Sequence, residues 1–392
     1  MISREIEKNL GNASFIRAMF EEGNKLKAAY GEENVFDFSI GNPEVEPPRE
    51  VYESLLEIAG DKTPGTHRYM PNAGYSFVRE AIAGRLSREY NKTVPADNIC
   101  MVCGAAAGLN VVLKSILNPG EEVIIFAPYF AEYKFYIGNG GGVPVVVETD
   151  DGFDIDINLF KKAVTPMTKA VLINSPNNPT GVIYSSERLS ELAAAIKEKE
   201  KEFNTDIFLL SDEPYNEIVY VDDELPVVFN IFEKAIVVNS YSKSLALPGE
   251  RIGYIAVSPD ISKSGLLMAA IIFNNRTLGF VNAPAISQRL VAKAVNASVD
   301  PEIYRERMDL LYNKLTELGF ECKKPAGAFY LFVKSPVEDE MEFARIAQKY
   351  NILVVPGRGF GRAGYFRMAF CVSLETIKRS MPAFEKLAAE FF

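Results

Sequence analysis

Tryptophan is missing from this sequence, histidine occurs once and cysteine four times. With His67 alone, metal sites built from several imidazoles are excluded, and a Ser-His-Asp triad would have to use that residue. If the chain is an enzyme, its proton transfer falls to lysine, tyrosine or a cofactor. Cys100 and Cys103 form a C-x-x-C, but Cys322 and Cys371 lie far apart and make no second pair. The run Ile99 to Cys103 reads as strand, where positions three apart face opposite ways, so buried strand cysteines are expected and no metal site. No apolar run reaches the roughly 18 residues of a membrane span, and the N-terminal stretch lacks an apolar signal core. The expected location is cytoplasmic. A basic surplus is lacking too: the net charge is −10, not gathered in a tail, which argues against nucleic acid as a partner.

What is present is a large stock of core. Of 392 residues, 48% are apolar, enough for two domains or one large elaborated domain. Residues 13 to 30 read as an amphipathic helix through Phe15, Met19, Leu26 and Tyr30. An extended segment, Val35 to Ile40, leads into Gly41-Asn42-Pro43 and a proline-stiffened linker with Pro47 and Pro48. Helical stretches follow at Leu55 to Gly60 and Val78 to Tyr90. From Ile99 onward, apolar runs recur at 99–103, 123–126, 143–147, 170–173, 207–210, 235–238 and 252–257. Several are continuous, as in strands covered on both faces, and helical stretches such as Leu109 to Leu117 and Arg188 to Lys197 separate many of them. The fold class is therefore α/β, a mostly parallel seven-stranded sheet sandwiched by helices.

Beyond about residue 280 the pattern becomes α+β. It gives helix around Ile286 to Ala294, a break at Pro301, helix from Tyr304 to Leu318 and strand from Gly327 to Val333. Helix near Glu342 to Tyr350, strand from Leu353 to Val355 and a closing helix follow. A large domain over 46–285 and a smaller one made of 1–45 and 286–392 are expected.

Several segments can carry chemistry. Met101 to Leu109 runs from strand to helix through Gly104, Ala105 and Ala106, and suits either a tight turn or an anion at a helix start. Gly359, Gly361 and Gly364 spell G-x-G-x-x-G but precede a strand, so they are no dinucleotide fingerprint. They read as a mobile loop leading to Arg367, an arginine among apolar residues that needs a carboxylate. Asn174 to Gly181 is a turn-rich stretch after a strand. Asp212 ends a buried strand, where a carboxylate is costly without a cation. Lys243 follows another strand among Ser240, Ser242 and Ser244. A partly desolvated lysine there can lose its proton and form an imine, and the hydroxyls with Arg251 suit a phosphate.

In order and spacing, Asn178-Pro179-Thr180-Gly181, Asp212-Glu213-Pro214-Tyr215 and Ser240-x-Ser242-Lys243 through Arg251 resemble the class I/II aminotransferases. These are fold-type I pyridoxal 5'-phosphate enzymes that include aspartate aminotransferases. The resemblance runs from Gly41 to Arg367. It implies that Lys243 forms the Schiff base and shuttles a proton, while Asp212 holds the ring nitrogen protonated. It implies that Tyr215 and Asn178 bond the ring's phenolic oxygen, and that Gly104, Ala105, Ala106, Ser240, Ser242 and Arg251 hold the phosphate. It places Phe130 where many relatives stack a tryptophan on the ring, and implies that Arg367 clamps the substrate α-carboxylate with Gly41 closing over it. Tyr69 matches a tyrosine that reaches the neighbouring subunit, implying a homodimer.

Small-molecule partners follow, an amino acid and a 2-oxo acid, with aspartate and 2-oxoglutarate favoured. A side-chain carboxylate needs a second cation. Ala106 stands where some relatives have lysine, leaving Arg276 of a neighbouring copy, Arg68, Lys134, Arg358 or Arg362. The aromatics Tyr129, Phe130, Tyr133, Tyr365 and Phe366 equally suit an aromatic or apolar donor. A β-lyase or aminocyclopropane-carboxylate-type synthase shares the same residue set. A non-catalytic regulator domain is disfavoured, because little chain precedes the resemblance and the charge is acidic.

Overall fold

The protein is described by a computed structural model covering residues 2–3, 6–7, 15–222 and 224–392, with backbone alone for 15–22. Its strands are β1 (Phe36–Asp37), β2 (Ile99–Val102), β3 (Glu122–Ala127), β4 (Val143–Glu148), β5 (Thr168–Asn174) and β6 (Phe208–Asp212). They continue with β7 (Ala235–Ser240), β8 (Gly253–Val257), β9 (Tyr330–Lys334), β10 (Ile352–Leu353), β11 (Val355–Pro356) and β12 (Tyr365–Ala369).

A seven-stranded sheet runs in the order β2-β8-β7-β6-β5-β3-β4. All pairings are parallel except those of β8, which opposes both β2 and β7. The seven apolar runs are the seven strands of this sheet. β2 and β8 are buried at every residue, whereas β4, at the edge, leaves Val143 and Val146 exposed. The chain goes outward from β3 to β4 and then crosses back to β5, so strand order reverses between β3 and β5. In open α/β sheets such a reversal opens a crevice at the carboxyl ends of the strands.

Two of the flanking helices start on side-chain caps that satisfy free backbone N–H groups. Ser185 accepts from Arg188 N at the start of Ser186–Phe203, and Asp156 accepts from Asn158 N and Leu159 N at the start of Ile157–Ala163. A second core gathers Phe38, Tyr304, Leu311, Phe329, Phe343 and Phe384 around β9 and β12. Among the described residues no helix is long and apolar enough to cross a membrane.

Several expectations are corrected. The first helix spans Phe15–Tyr30, with residues 13–14 and the side chains of Phe15 and Met19 outside the described residues, and Tyr30 is exposed rather than on a buried face. The strand expected from Gly327 begins only at Tyr330, because Ala328 holds φ at 57°, outside the extended region. The single strand expected over 353–355 is split. β10 pairs in parallel with β1, and β11 pairs antiparallel with β12 in the sheet β11-β12-β9. Helix Ser264–Thr277 had no sequence signal, since its apolar residues surround the axis and leave Leu266 and Phe273 exposed. Cys100 lies buried in β2, but Cys103 falls past its end, half-buried against Asn282 O.

The glycine loop before β12 is pinned rather than free. Glu340, fully buried, accepts from Arg358 N and Nε and from Gly364 N. Gly357 is packed against the carbonyls of Arg362 and Tyr365, which leaves no room for a side chain.

Candidate active site

A cavity of about 320 Å³ opens at the carboxyl ends of β5, β6 and β7. Lys243 lies on the short helix Tyr241–Ser244, directly after β7, and its half-buried side chain lines the cavity. Its Nζ donates to Gly41 O at 2.7 Å and lies 5.2 Å from the Phe329 ring centroid. Burial lowers its pKa to about 8, with Arg367 and Arg251 pushing the same way and Cys371 opposing. Near neutral pH, part of the amine population is therefore unprotonated and nucleophilic.

Asp212 ends β6, buried and without a cationic partner among the described residues. Its Oδ2 accepts from the buried Tyr133 hydroxyl at 2.6 Å, and its Oδ1 is buried with no hydrogen-bond partner. Burial raises its pKa to about 7, with the Tyr133 hydrogen bond pulling it back. Glu213, turned into a separate pocket with Arg85 and Tyr254, is likewise raised to about 7 by burial.

A stability prediction follows from Asp212. Its folded pKa lies above the ordinary 3.8, so on raising the pH the unfolded chain releases this proton first. Stability carried by the protonated carboxyl is complete below about pH 4 and is lost as pH rises through about 7. The cofactor-free Asp212→Asn variant should therefore gain on the wild type across that window, at up to about 1.4 kcal/mol per pH unit. Urea unfolding from pH 4 to 8 reads the difference.

Arg367, at the centre of β12, is 3% exposed and makes no ion pair among the described residues. Its guanidinium is sandwiched between Tyr330 and Phe360, with centroids at 4.6 and 4.8 Å. It donates to Asn178 Oδ1 at 3.1 Å and Ser39 O at 2.6 Å, while Nε has no partner. Desolvation lowers its pKa. Asn178 is fixed by its backbone N–H donating to Asn174 Oδ1 at 2.7 Å. A buried arginine without a carboxylate is a receptor for one.

On the other side of the cavity, Ala105 and Ala106 open helix Ala105–Ile116 beneath Ser240, Ser242 and Arg251. Gly104, behind them, has φ +83°, and a Cβ there would meet Arg251 Nη2 at 3.0 Å. Backbone N–H groups at a helix start, two hydroxyls and a guanidinium together form an anion cradle. Phe130 lines the wall, edge-on to Tyr133 at 5.5 Å. Tyr215 lines it with its hydroxyl 3.0 Å from that of Tyr330.

Other expected residues lie elsewhere. Tyr69 is 90% exposed, and Arg68 and Arg276 are also exposed, Arg276 against Phe273; none lines the cavity. Lys134 sits over Tyr129, Arg358 is bound to Asp339 and Glu340, and Arg362 to Glu148. Tyr365 and Phe366 are packing residues, stacked on Phe332 and Phe343. The cationic side chains lining the cavity are thus Lys243, Arg251 and Arg367, among the described residues. Tyr330 and Tyr136 carried no sequence signal as lining residues, because aromatics in apolar runs read as core, and Ser39 carried none as a lone hydroxyl in an extended segment.

A lysine, a carboxylate and an arginine thus meet in one cavity at the carboxyl rim of this sheet. The chain belongs to the aminotransferase class I and II family, whose model matches residues 33–384. It is 32% identical over 358 residues to the aspartate/prephenate aminotransferase of Thermus thermophilus, covering 89% of this chain and 90% of that one. An amino transferase crystal structure from Eubacterium rectale superposes with a TM-score of 0.96 at 40% identity, covering 100% of this chain and 99% of the other. The Thermus thermophilus aspartate aminotransferase solved with maleate superposes with a TM-score of 0.87 at 29% identity, covering 99% of each chain.

Proposed function

We propose that the chain is a pyridoxal 5'-phosphate-dependent aminotransferase. It takes the amino group of an L-amino acid, aspartate or a related acid, and passes it to a 2-oxo acid such as 2-oxoglutarate in two half-reactions. The observation that carries this reading is Asp212 Oδ1, a buried acceptor with no partner at the floor of a cavity that also holds Lys243 and Arg367. The residues present fit the cofactor. A protonated ring nitrogen satisfies Oδ1, and the Arg251, Ser240, Ser242 and Ala105 cradle suits a phosphate. When bound, the cofactor supplies an electron sink at its ring nitrogen.

The chain's own residues do the rest. Lys243 would be the attachment point, and its Nζ, with a pKa of about 8, would take the proton from the donor's α-carbon and, in the second half-reaction, give one to the α-carbon of the new amino acid. Asp212 would keep the ring nitrogen charged, Tyr215 and Asn178 would address the phenolic oxygen, and Phe130 would cover a ring face. Arg367 orients the α-carboxylate, and the Ser39–Gly41 segment shields it. In this reading the larger expected unit, 46–285, holds the cofactor and the smaller one supplies the clamp.

Acidic donors are supported by relatives named for aspartate and by a neighbour solved with a dicarboxylate. The second cation is then supplied across a homodimer, with Tyr69 and Arg276 serving the neighbouring copy's site. An aromatic or apolar donor is the second reading. It is favoured by a cavity that one chain lines with Leu109, Phe130 and Tyr136 and no further cation among the described residues. Loading the protein with cofactor and titrating each amino acid tests both. Aspartate or glutamate should convert the visible absorbance to the amine form and yield a new amino acid from 2-oxoglutarate. Conversion by aromatic donors alone would select the second reading, and ammonia without a new amino acid would reject transamination.

A further inference from the structure

We propose that Tyr330 is a positioning residue that commits the single hydroxyl hydrogen of Tyr215 to the cavity while bracing Arg367 with its ring. The proposal deepens the reading above and rests on it. Tyr330 is the first residue of β9 and is directly opposite Ala369, two residues along β12 from Arg367. Opposed residues of an antiparallel pair share a face, so Tyr330 and Arg367 project to the same side. The ring lies 4.6 Å from the guanidinium, and the hydroxyl lies 3.0 Å from that of Tyr215. That hydroxyl also fills the space a side chain would need at Gly41, whose carbonyl holds Lys243. One side chain therefore touches the carboxylate receptor, the segment over the lysine and the phenol expected to face the cofactor.

Hydrogen count decides which hydroxyl donates. A phenol has one hydrogen to donate and lone pairs to accept with. Either hydroxyl of the pair can be the donor on geometry alone. If Tyr215 donated to Tyr330, it would present a lone pair to the cavity and repel a phenolate oxygen. If Tyr330 donates to Tyr215, the Tyr215 hydrogen is free to point inward, and accepting a bond makes it a stronger donor. Tyr330 stays neutral in this role, because burial raises its pKa to about 12, with Arg367 and the Tyr215 hydrogen bond opposing. The charged and titratable groups facing the pair are Arg367, Asp212 and Cys371, with Lys243 beside Phe329. Burial raises Cys371 to about 11, which keeps it neutral too.

The test is the pH midpoint of the bound cofactor's visible absorbance, read in Tyr330→Phe, Tyr215→Phe and the double variant. Phenylalanine keeps the ring over Arg367 and removes only the hydroxyl. Hydrogen bonds to the phenolic oxygen favour its charged form and the proton-poor state of the chromophore, so losing them raises the midpoint. Tyr330→Phe should raise it by about half a unit, as one polarising neighbour is removed. Tyr215→Phe should raise it further, and the double variant should equal Tyr215→Phe, because Tyr330 acts through Tyr215. A fall or no change in Tyr330→Phe, or additive shifts in the double variant, overturns the proposal while leaving the aminotransferase reading intact. A wild-type protein that develops no visible absorbance with pyridoxal phosphate overturns both. Should Tyr330→Phe fold poorly, the comparison is made with Tyr330→Leu, which removes hydroxyl and ring. It should raise the midpoint and also weaken succinate binding, and an unchanged midpoint would again be decisive against the proposal.

Discussion

Lys243→Ala should cost turnover by about 10⁴-fold or more, the upper range for a positioned proton donor and acceptor. The reason is the placement of the amine. Its Nζ is held by Gly41 O in a cavity with Arg251 and Arg367, and burial brings its pKa down to about 8 from 10.5. No other lysine lines that cavity among the described residues. The fold should survive, and the sign of the stability change is specific. A lysine whose folded pKa is depressed binds fewer protons folded than unfolded between about pH 8 and 10.5. Below that window the protein bears the full cost of a desolvated ammonium. The cofactor-free alanine variant should therefore gain on the wild type most at or below pH 7, and the gain should shrink as pH rises through the window. Denaturant unfolding at pH 7 and pH 10 checks it.

Arg367→Met should raise the KM for amino and 2-oxo acids together, by the roughly 2–5 kcal/mol that a buried charge partner supplies. Methionine can occupy the slot between Tyr330 and Phe360 and make favourable sulfur–ring contacts. Asn178 Oδ1 and Ser39 O lose their donor, but the fold is also relieved of a buried cation with no carboxylate. Unfolding temperature in the absence of ligand should consequently move little. The discriminating result is ligand-linked: succinate should raise the melting temperature of the wild type and leave that of Arg367→Met unchanged. Equal stabilisation of both proteins would remove Arg367 from the carboxylate site.

The sheet was legible because its central strands are continuous apolar runs covered on both faces, as Leu209 to Leu210 and Ala235 to Val238 show. Helix Ser264–Thr277 was not, since its apolar residues form no stripe. The division of 352–356 between two sheets was equally hidden, because which strand each short segment joins depends on pairing partners distant in sequence. Asp212, Lys243 and Arg367 stood out for one physical reason: charged side chains within buried strands or just past their ends are expensive unless something meets them. Arg358 and Arg362 looked equally available in sequence, and only the folded chain shows them bound to Glu340 and Glu148. Tyr330 was invisible for the opposite reason, and Tyr133 was legible only as an apolar wall, not as the partner of Asp212. Each belongs by composition to the core, and its hydroxyl acquires a role only through a partner far along the chain.

The central claim is that Lys243 is where the vitamin B6 aldehyde is attached, with Asp212 behind the ring. Borohydride reduction of the wild-type protein incubated with pyridoxal 5'-phosphate, followed by peptide mapping, tests it most directly. The account predicts one stoichiometric label, on Lys243, in the peptide that contains Ser240 and Ser242. A protein that stays colourless with the aldehyde, or a label on any other lysine, would contradict it.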